Sequence, residues 1–209
     1  MIPVMSQPEP QDFQVKVSAK GRSFLERNPH TKNWKYGSYW TLALPDLWNS
    51  YQGICAYCCY YIPSEQNATV DHFIPKSIEP EMAYEWRNYR LATLKMNARK
   101  GNSVDVVDPF ELADGSLQLL FPAMLIRPDP TLPLEQKEQI LSTIKRLKLN
   151  ADEALVQSRL QWMLAYCDGH ISFKFLSRVA PFIAFEIERQ AIKDQLPLVF
   201  RQRKYRTKS

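Results

Sequence analysis

The sequence predicts an α+β protein in which a small strand–strand–helix core lies between two helical regions. Two short apolar runs, ATVDHFI and YRLATL, are separated by turn residues and predict two strands, and a brief helix is expected from about Met96. On both sides of this segment, apolar residues recur at three- and four-residue intervals, which is typical of helices. The expected organisation is an N-terminal arm and helix over 1–51, the core over 52–110, and a mostly helical region over 111–209 that ends in a basic tail.

The N-terminal arm is expected to end in a helix over the stretch SYWTLALPDLWNSY. Pro45 must either open a second helix there or kink the first, because it lacks an N–H group and its ring clashes with the preceding turn. Earlier in the arm, basic residues interleave with Phe24, Trp34 and Tyr36. This mixture is compatible with nucleic-acid contact, and equally with a solvated surface over core aromatics.

The C-terminal region is predicted to contain three or more helices. A proline-rich passage over 121–134 marks its boundary, and LEQKEQILSTIKRLKL then repeats apolar residues with helical spacing. Asn150, with Glu153 three residues on, is the expected N-cap of the next helix, ADEALVQSRLQWMLAYC. A further helix is predicted over APFIAFEIERQAIKDQ.

The net charge of +5 is concentrated at the C-terminal end. Residues 1–200 hold 22 basic and 22 acidic side chains, whereas 201–209 hold five basic and none acidic. Such a tail adds attraction to phosphates or to an acidic partner, or it is simply a solvated terminus.

The chain is expected to be cytoplasmic. Its first residues carry neither a basic nor an apolar signal region, and its longest apolar stretch, from Leu117, is too short to span a bilayer. Thiols stay reduced in the cytosol, so the cysteines are interpreted as metal ligands or buried thiols; they are Cys55, Cys58, Cys59 and Cys167.

The residues that indicate chemistry are an Asp71-His72 step, then Asn88, and then Asn97 followed three residues later by Lys100. Imidazole suits a general base near neutral pH, so His72 is the candidate that activates a water molecule. Carboxylate and amide oxygens suit a hard divalent cation, which makes Asp71 and Asn97 candidate metal ligands. Each piece alone is common, and the ordered set is the informative feature.

This ordered set resembles the HNH nuclease superfamily, in which a strand ending in Asp-His, an Asn opening a second strand and a final Asn on a short helix form a ββα-metal core. The resemblance implies that Asp71 and Asn97 bind one Mg²⁺ or Mn²⁺, that His72 deprotonates water, and that Asn88 braces the loop presenting His72. It also implies that Arg99 and Lys100 meet the substrate phosphates.

The sequence departs from the zinc-containing version of this pattern. Cys55 and Cys58 form a CxxC pair, but the second pair of that version is replaced by Thr93 and Met96, which are not usual zinc ligands. Three interpretations stay open: buried thiols, a redox role or partial ligation, and a structural Zn²⁺ site. The ligands of the zinc site would be Cys55, Cys58, Cys167 and His170.

Beyond the catalytic pattern, the chain resembles stand-alone HNH proteins of bacterial antiphage defence, such as the HNH subunit (PtuB) of Septu-type systems and the similar effectors encoded beside retrons. The segments that carry this likeness are ALPDLWNSYQGICAYCCYYIP, AYEWRNYRLA, DVVDPF and ISFKFLSRVAPFIAFEIERQ. It implies an endonuclease, with DNA favoured as substrate, that works with an ABC/SMC-like ATPase of the PtuA type. The alternatives are cleavage of RNA such as tRNA, and a non-catalytic binding module within an ATPase complex.

Overall fold

The structure is a computed structural model that describes residues 1–200; the basic tail predicted at 201–209 lies outside the described residues. It confirms a mixed α+β fold with two small antiparallel sheets. The strands are β1 (Ala68–His72), β2 (Tyr89–Thr93), β3 (Leu117–Leu120) and β4 (Leu125–Pro128). The helices are α1 (Ala19–Arg27), α2 (Leu44–Ser50), α3 (Leu94–Lys100), α4 (Leu134–Arg146), α5 (Glu153–Cys167), α6 (Phe173–Val179) and α7 (Pro181–Arg189).

The N-terminal arm enters through a π-helical turn, Gln14–Ser18, that continues directly into α1. A 3₁₀ segment, Tyr39–Ala43, then leads into α2, and Pro45 lies in the first turn of α2. Proline is tolerated there because the N–H group it lacks has no partner within the helix. Of the two alternatives left open for Pro45, a second helix or a kink in the first, the structure shows the second helix.

The central element is the predicted pair of strands followed by a short helix. β1 and β2 pair antiparallel, with Asp71 opposite Arg90 and His72 opposite Tyr89. The helix α3 begins at Leu94, two residues before the expected start, because the Thr93 hydroxyl accepts a hydrogen bond from the Met96 N–H and caps it. The pairing places the end of β1 beside α3.

The C-terminal region is helical as predicted, but it also contains the unpredicted hairpin β3–β4. The expected N-cap at Asn150 is wrong: its side-chain amide instead pairs with the backbone of Ile126 in β4, through bonds of 2.8 and 2.7 Å. Asp152 caps α5 by accepting a hydrogen bond from the Ala154 N–H. The N-cap role that the sequence pattern assigned to Asn150 therefore belongs to Asp152.

One hydrophobic core runs through all three regions, from Met1 in the arm to Phe200 at the end of the described chain. A polar link joins α3 to the start of α5 beside this core: Arg99 donates to the Leu147 carbonyl and to Asp152, and Lys95 also pairs with Asp152. Within residues 1–200, no helix is long and apolar enough to cross a membrane.

Asp152 offers a test of this link, since it is both a helix cap and an ion-pair partner. Asp152→Asn keeps a good N-cap and removes the carboxylate, whereas Asp152→Ala removes both. We expect the free energy of unfolding of the alanine variant to be roughly 0.5–2 kcal/mol lower than that of the asparagine variant, because only the alanine variant loses the cap. Urea unfolding at pH 7 measures the difference, and equal stability of the two variants would contradict the cap.

The charge of Asp152 predicts a pH dependence as well. Hydrogen bonds from Lys95 and Arg99 lower the pKa of Asp152 to about 2. A depressed carboxyl pKa stabilises the fold above the unfolded-state value of about 3.9 and loses that effect as the pH falls through the folded-state value. The advantage of the parent over Asp152→Asn should therefore shrink between about pH 4 and pH 2, and an advantage that stays constant over this range contradicts the ion pairs.

Candidate active site

Three of the predicted site residues, Asp71, His72 and Asn97, line one open cavity of about 430 Å³ between β1, α3 and the N-terminal arm, whereas Asn88 does not line it. Its wall includes Trp40, Asp71, His72, Lys76, Asn97 and Asn102. The end of β1, the loop after it, the helix α3 and the 3₁₀ segment of the arm each contribute. The cavity is therefore assembled from parts of the chain far apart in sequence.

His72 is held in one orientation. Its Nε2 atom lies 3.0 Å from the Ala83 carbonyl oxygen, so Nε2 carries the proton and Nδ1 is left as the acceptor. The ring meets Trp40 and Tyr89 edge to face, with centroids 4.9 and 5.4 Å away. Burial lowers the pKa of His72 to about 3, assisted by the positive charge of Lys76. The imidazole is therefore neutral at physiological pH.

Asp71 is almost fully buried beside it. Its Oδ2 atom accepts a hydrogen bond from the Tyr57 hydroxyl at 2.5 Å and lies 3.3 Å from the Lys100 ammonium. Burial raises the pKa of Asp71, while Lys100 and Tyr57 act in the opposite direction. Both contacts fall on a single carboxylate oxygen.

Asn88 fastens both ends of the loop that follows β1. Its side-chain oxygen accepts from the Ile74 N–H at 2.7 Å, and its side-chain N–H groups donate to the carbonyls of Ile74 and Met82. The backbone of Asn88 accepts a further bond from the Phe73 N–H. These are the contacts expected of a residue that braces the segment next to His72.

Asn97 is presented by α3 toward β1. Its side-chain N–H group donates to the Thr69 hydroxyl and to the Val70 carbonyl, both at 3.3 Å. With the nitrogen engaged on the strand, the amide oxygen is the atom that remains as an acceptor. Asn97 and Asp71 line the same cavity and supply an amide and a carboxylate oxygen, which is a donor set suited to Mg²⁺ or Mn²⁺.

The expectation that Arg99 and Lys100 meet substrate phosphates needs correction. Both residues lie in the last turn of α3, and both are engaged inside the protein. The Lys100 side chain is fully buried and donates to the His72 carbonyl at 2.8 Å as well as pairing with Asp71. Arg99 pairs with Asp152 at 2.6 Å. Neither cation faces the cavity.

The CxxC pair forms a tight turn against β2. The Ala56 N–H donates to the Leu91 carbonyl, and the Cys59 N–H donates to the Cys55 carbonyl. Burial raises the pKa of the Cys55 thiol, but hydrogen bonds from Cys58 and from the backbone of Thr93 outweigh it and lower the value to about 7. Cys55 is thus held by donors at the point where α3 begins.

The zinc site, one of the three interpretations left open for the CxxC pair, is not assembled among the described residues. Among the described residues, no group of three or more His, Cys, Asp or Glu side chains is arranged to hold a metal ion. Cys167 lies on α5, where its sulfur contacts Met163. The structure therefore does not bring Cys167 and His170 to Cys55 and Cys58. A catalytic ion held by one carboxylate and one amide is a different donor set, to which this finding does not apply.

Three residues at the site were missed from the sequence. Tyr57 lies between the cysteines and contacts Asp71, Trp40 packs on His72, and Lys76 lines the cavity. Lys76 follows His72 by four residues, which is a usable signal of proximity. Tyr57 and Trp40 approach only through tertiary packing.

Comparison of the sequence with protein-family models and with curated proteins gives no match.

The protonation state of His72 can be tested directly. We expect the Nε2–H tautomer, with the ring neutral down to about pH 4, because burial depresses its pKa. Long-range ¹H–¹⁵N NMR spectra measure both properties, and the signals are assigned by their loss in His72→Gln. A midpoint near the ordinary value of about 6.5, or an Nδ1–H tautomer, would contradict the geometry.

The lowered pKa of His72 also predicts how this residue changes the free energy of unfolding with pH. Between about pH 6.5 and pH 3 the unfolded chain binds a proton at His72 that the folded chain does not. This contribution therefore falls as the pH is lowered through that range. Urea unfolding measures this as the free energy of unfolding of the parent minus that of His72→Gln. We expect this difference to decrease as the pH is lowered from about 6.5 to 3.

Proposed function

We propose that this chain is a metal-dependent endonuclease that hydrolyses phosphodiester bonds in nucleic acid. The observation that carries the proposal is the convergence of an oriented imidazole, from His72, with two oxygen donors, from Asp71 and Asn97, on one open cavity. A general base beside a pair of hard oxygen ligands is an arrangement suited to metal-assisted hydrolysis.

The ligand atoms we assign are Oδ1 of Asp71 and Oδ1 of Asn97, because Oδ2 of Asp71 and the nitrogen of Asn97 are already engaged. When bound there, Mg²⁺ or Mn²⁺ supplies positive charge for the transition state and the leaving oxygen. Lys100 and Tyr57 hold the Asp71 carboxylate through its Oδ2 atom.

His72 removes the proton from the attacking water at Nδ1. The Ala83 carbonyl holds the proton on Nε2 and so fixes which nitrogen is the base. Trp40 and Tyr89 pack against the ring and restrict its rotation. Asn88 bonds to the carbonyl of Met82, the residue before Ala83, and so helps to hold the Ala83 carbonyl in place. The base is therefore preorganised before substrate arrives.

We further propose that the β1–β2–α3 element is a ββα-metal core of the HNH type, and that the chain is an effector of antiphage defence that works with an ABC/SMC-like ATPase. The support is the order Asp71-His72, Asn88, Asn97 on two strands and a short helix. DNA is the favoured substrate. RNA such as tRNA is the alternative, because it presents a phosphodiester as well.

The proposal predicts a large effect of His72→Ala. Loss of the general base should lower cleavage by about 10²–10⁴-fold while the fold is retained. The measurement is cleavage of plasmid DNA, single-stranded DNA and total tRNA, with and without Mg²⁺ or Mn²⁺. His30→Ala, at an exposed position that does not line the cavity, is the matched control.

Each outcome of this panel separates the alternatives. Metal-dependent cutting that is lost in His72→Ala supports the nuclease, and the substrate that is cut decides between DNA and RNA. Cutting that survives in the variant overturns the role of His72. Binding of nucleic acid without any cutting, also in the presence of a co-expressed ATPase, favours a non-catalytic module.

Asn97 gives a second prediction, on the metal. Asn97→Ala removes one proposed ligand, so we expect half-maximal cleavage to need a higher Mg²⁺ or Mn²⁺ concentration, with partial recovery at high metal. Asn102→Ala, which changes another amide on the same cavity wall, is the control. An unchanged metal titration in Asn97→Ala contradicts ligation by this residue.

A further inference from the structure

The cavity wall includes one cationic side chain, Lys76, to which the proposed mechanism assigns no role. Lys76 follows β1 in the loop braced by Asn88, and it is the one Lys or Arg among the described residues that line the cavity. Its ammonium lies over the ring of Trp40, 5.1 Å from the centroid, and 5.9 Å from that of Trp34. Both indoles come from the N-terminal arm.

Lys76 differs from the neighbouring cations in having no anionic partner. Within residues 1–200, its ammonium makes neither an ion pair within 4.0 Å nor a hydrogen bond, whereas Arg99 is paired with Asp152 and Lys100 with Asp71. Burial lowers the pKa of Lys76, attraction to Asp71 raises it, and repulsion from Lys100 lowers it. The side chain is thus half-buried and lacks a direct counter-ion.

A partly desolvated ammonium without a counter-ion is costly to maintain, and the faces of two indole rings offset only part of that cost. A bound anion in the cavity would supply the missing partner. The same cavity holds the base His72 and the two proposed metal ligands, which also face a phosphodiester. The position of Lys76 therefore matches the negative charge of the group being hydrolysed.

We propose that Lys76, held by Trp34 and Trp40, contacts a non-bridging oxygen of the scissile phosphate and stabilises the charge that develops there. This inference rests on the proposed nuclease function and assigns to Lys76 the phosphate contact expected of Arg99 and Lys100. The two tryptophans act as positioning residues, since they restrict where the flexible lysine side chain places its charge.

The test compares Lys76→Met and Lys76→Arg with Lys35→Met. Lys35 is a suitable control because its ammonium also lies over an aromatic ring, that of Tyr36, but outside the cavity. We expect Lys76→Met to lower the cleavage rate by about 10²-fold, as for removal of one transition-state charge donor. Lys76→Arg should retain most of the activity, and Lys35→Met should cut at the parental rate.

Binding provides a readout that is independent of cleavage. In the His72→Ala background, titration of duplex DNA over a range of salt concentrations should show a slope of log K against log salt that is smaller by about 0.9 for Lys76→Met, as expected for one lost phosphate contact. Lys35→Met should leave the slope unchanged. Thermal unfolding should place Lys76→Met at or above the parental Tm, since no ion pair is broken.

The outcomes distinguish this inference from the proposed function. If the parent cuts and Lys76→Met cuts at the parental rate with the parental salt slope, the inference is overturned and the nuclease stands. If the parent binds but does not cut, and only the Lys76→Met slope falls, the phosphate contact stands and the catalytic proposal fails. A parent that neither binds nor cuts overturns both.

Discussion

The buried ammonium of Lys100 is the interaction on which the geometry of the site depends. A charge without access to water must be fully paired, and Lys100 satisfies this requirement with the Asp71 carboxylate and the His72 carbonyl. Both partners lie at the end of β1, whereas Lys100 ends α3. The helix is thereby fixed to the strand at the two residues that carry the chemistry, and Asn97, one turn earlier on α3, is placed against Thr69 and Val70.

The C-terminal region supports the same helix from outside. Arg99 reaches the Leu147 carbonyl and Asp152, so the adjacent cations Arg99 and Lys100 hold α3 from opposite directions. The buried pair of Arg90 and Asp108 adds a second clamp, since it joins β2 to the segment after α3 and stacks the guanidinium on Phe110. The short central element is thus held by ion pairs at both ends, in addition to the apolar side chains that it contributes to the core.

The sequence predicted what local patterns determine. Short apolar runs separated by turn residues predicted both central strands and their order, and Pro45 predicted either a second helix or a kink at its position, because these features depend on neighbours in the chain. It failed where tertiary contacts decide. Asn150 suits an N-cap as well as Asp152 does, and only the approach of β4 assigns it elsewhere.

The sequence also could not predict the direction in which a long side chain points. Arg99 and Lys100 have the composition of a phosphate-binding pair, but their positions in the last turn of α3 turn them toward Asp152 and Asp71. Apart from its spacing from His72, Lys76 has no motif of its own, and it is identified by its position on the cavity wall and by its contacts with Trp34 and Trp40. The hairpin β3–β4 was not predicted because its apolar run fits a buried helix and a buried strand equally well.

The contribution of the N-terminal arm to the cavity limits how far the central element is a portable unit. Trp40 forms part of the wall, Phe13 packs edge to face on Trp86 and Tyr89, and the Ser18 hydroxyl donates to the Tyr84 carbonyl. A segment spanning 52–110 alone would expose these aromatic faces to water and leave His72 open on one side. Grafting this chemistry onto another scaffold would therefore require the arm to travel with it.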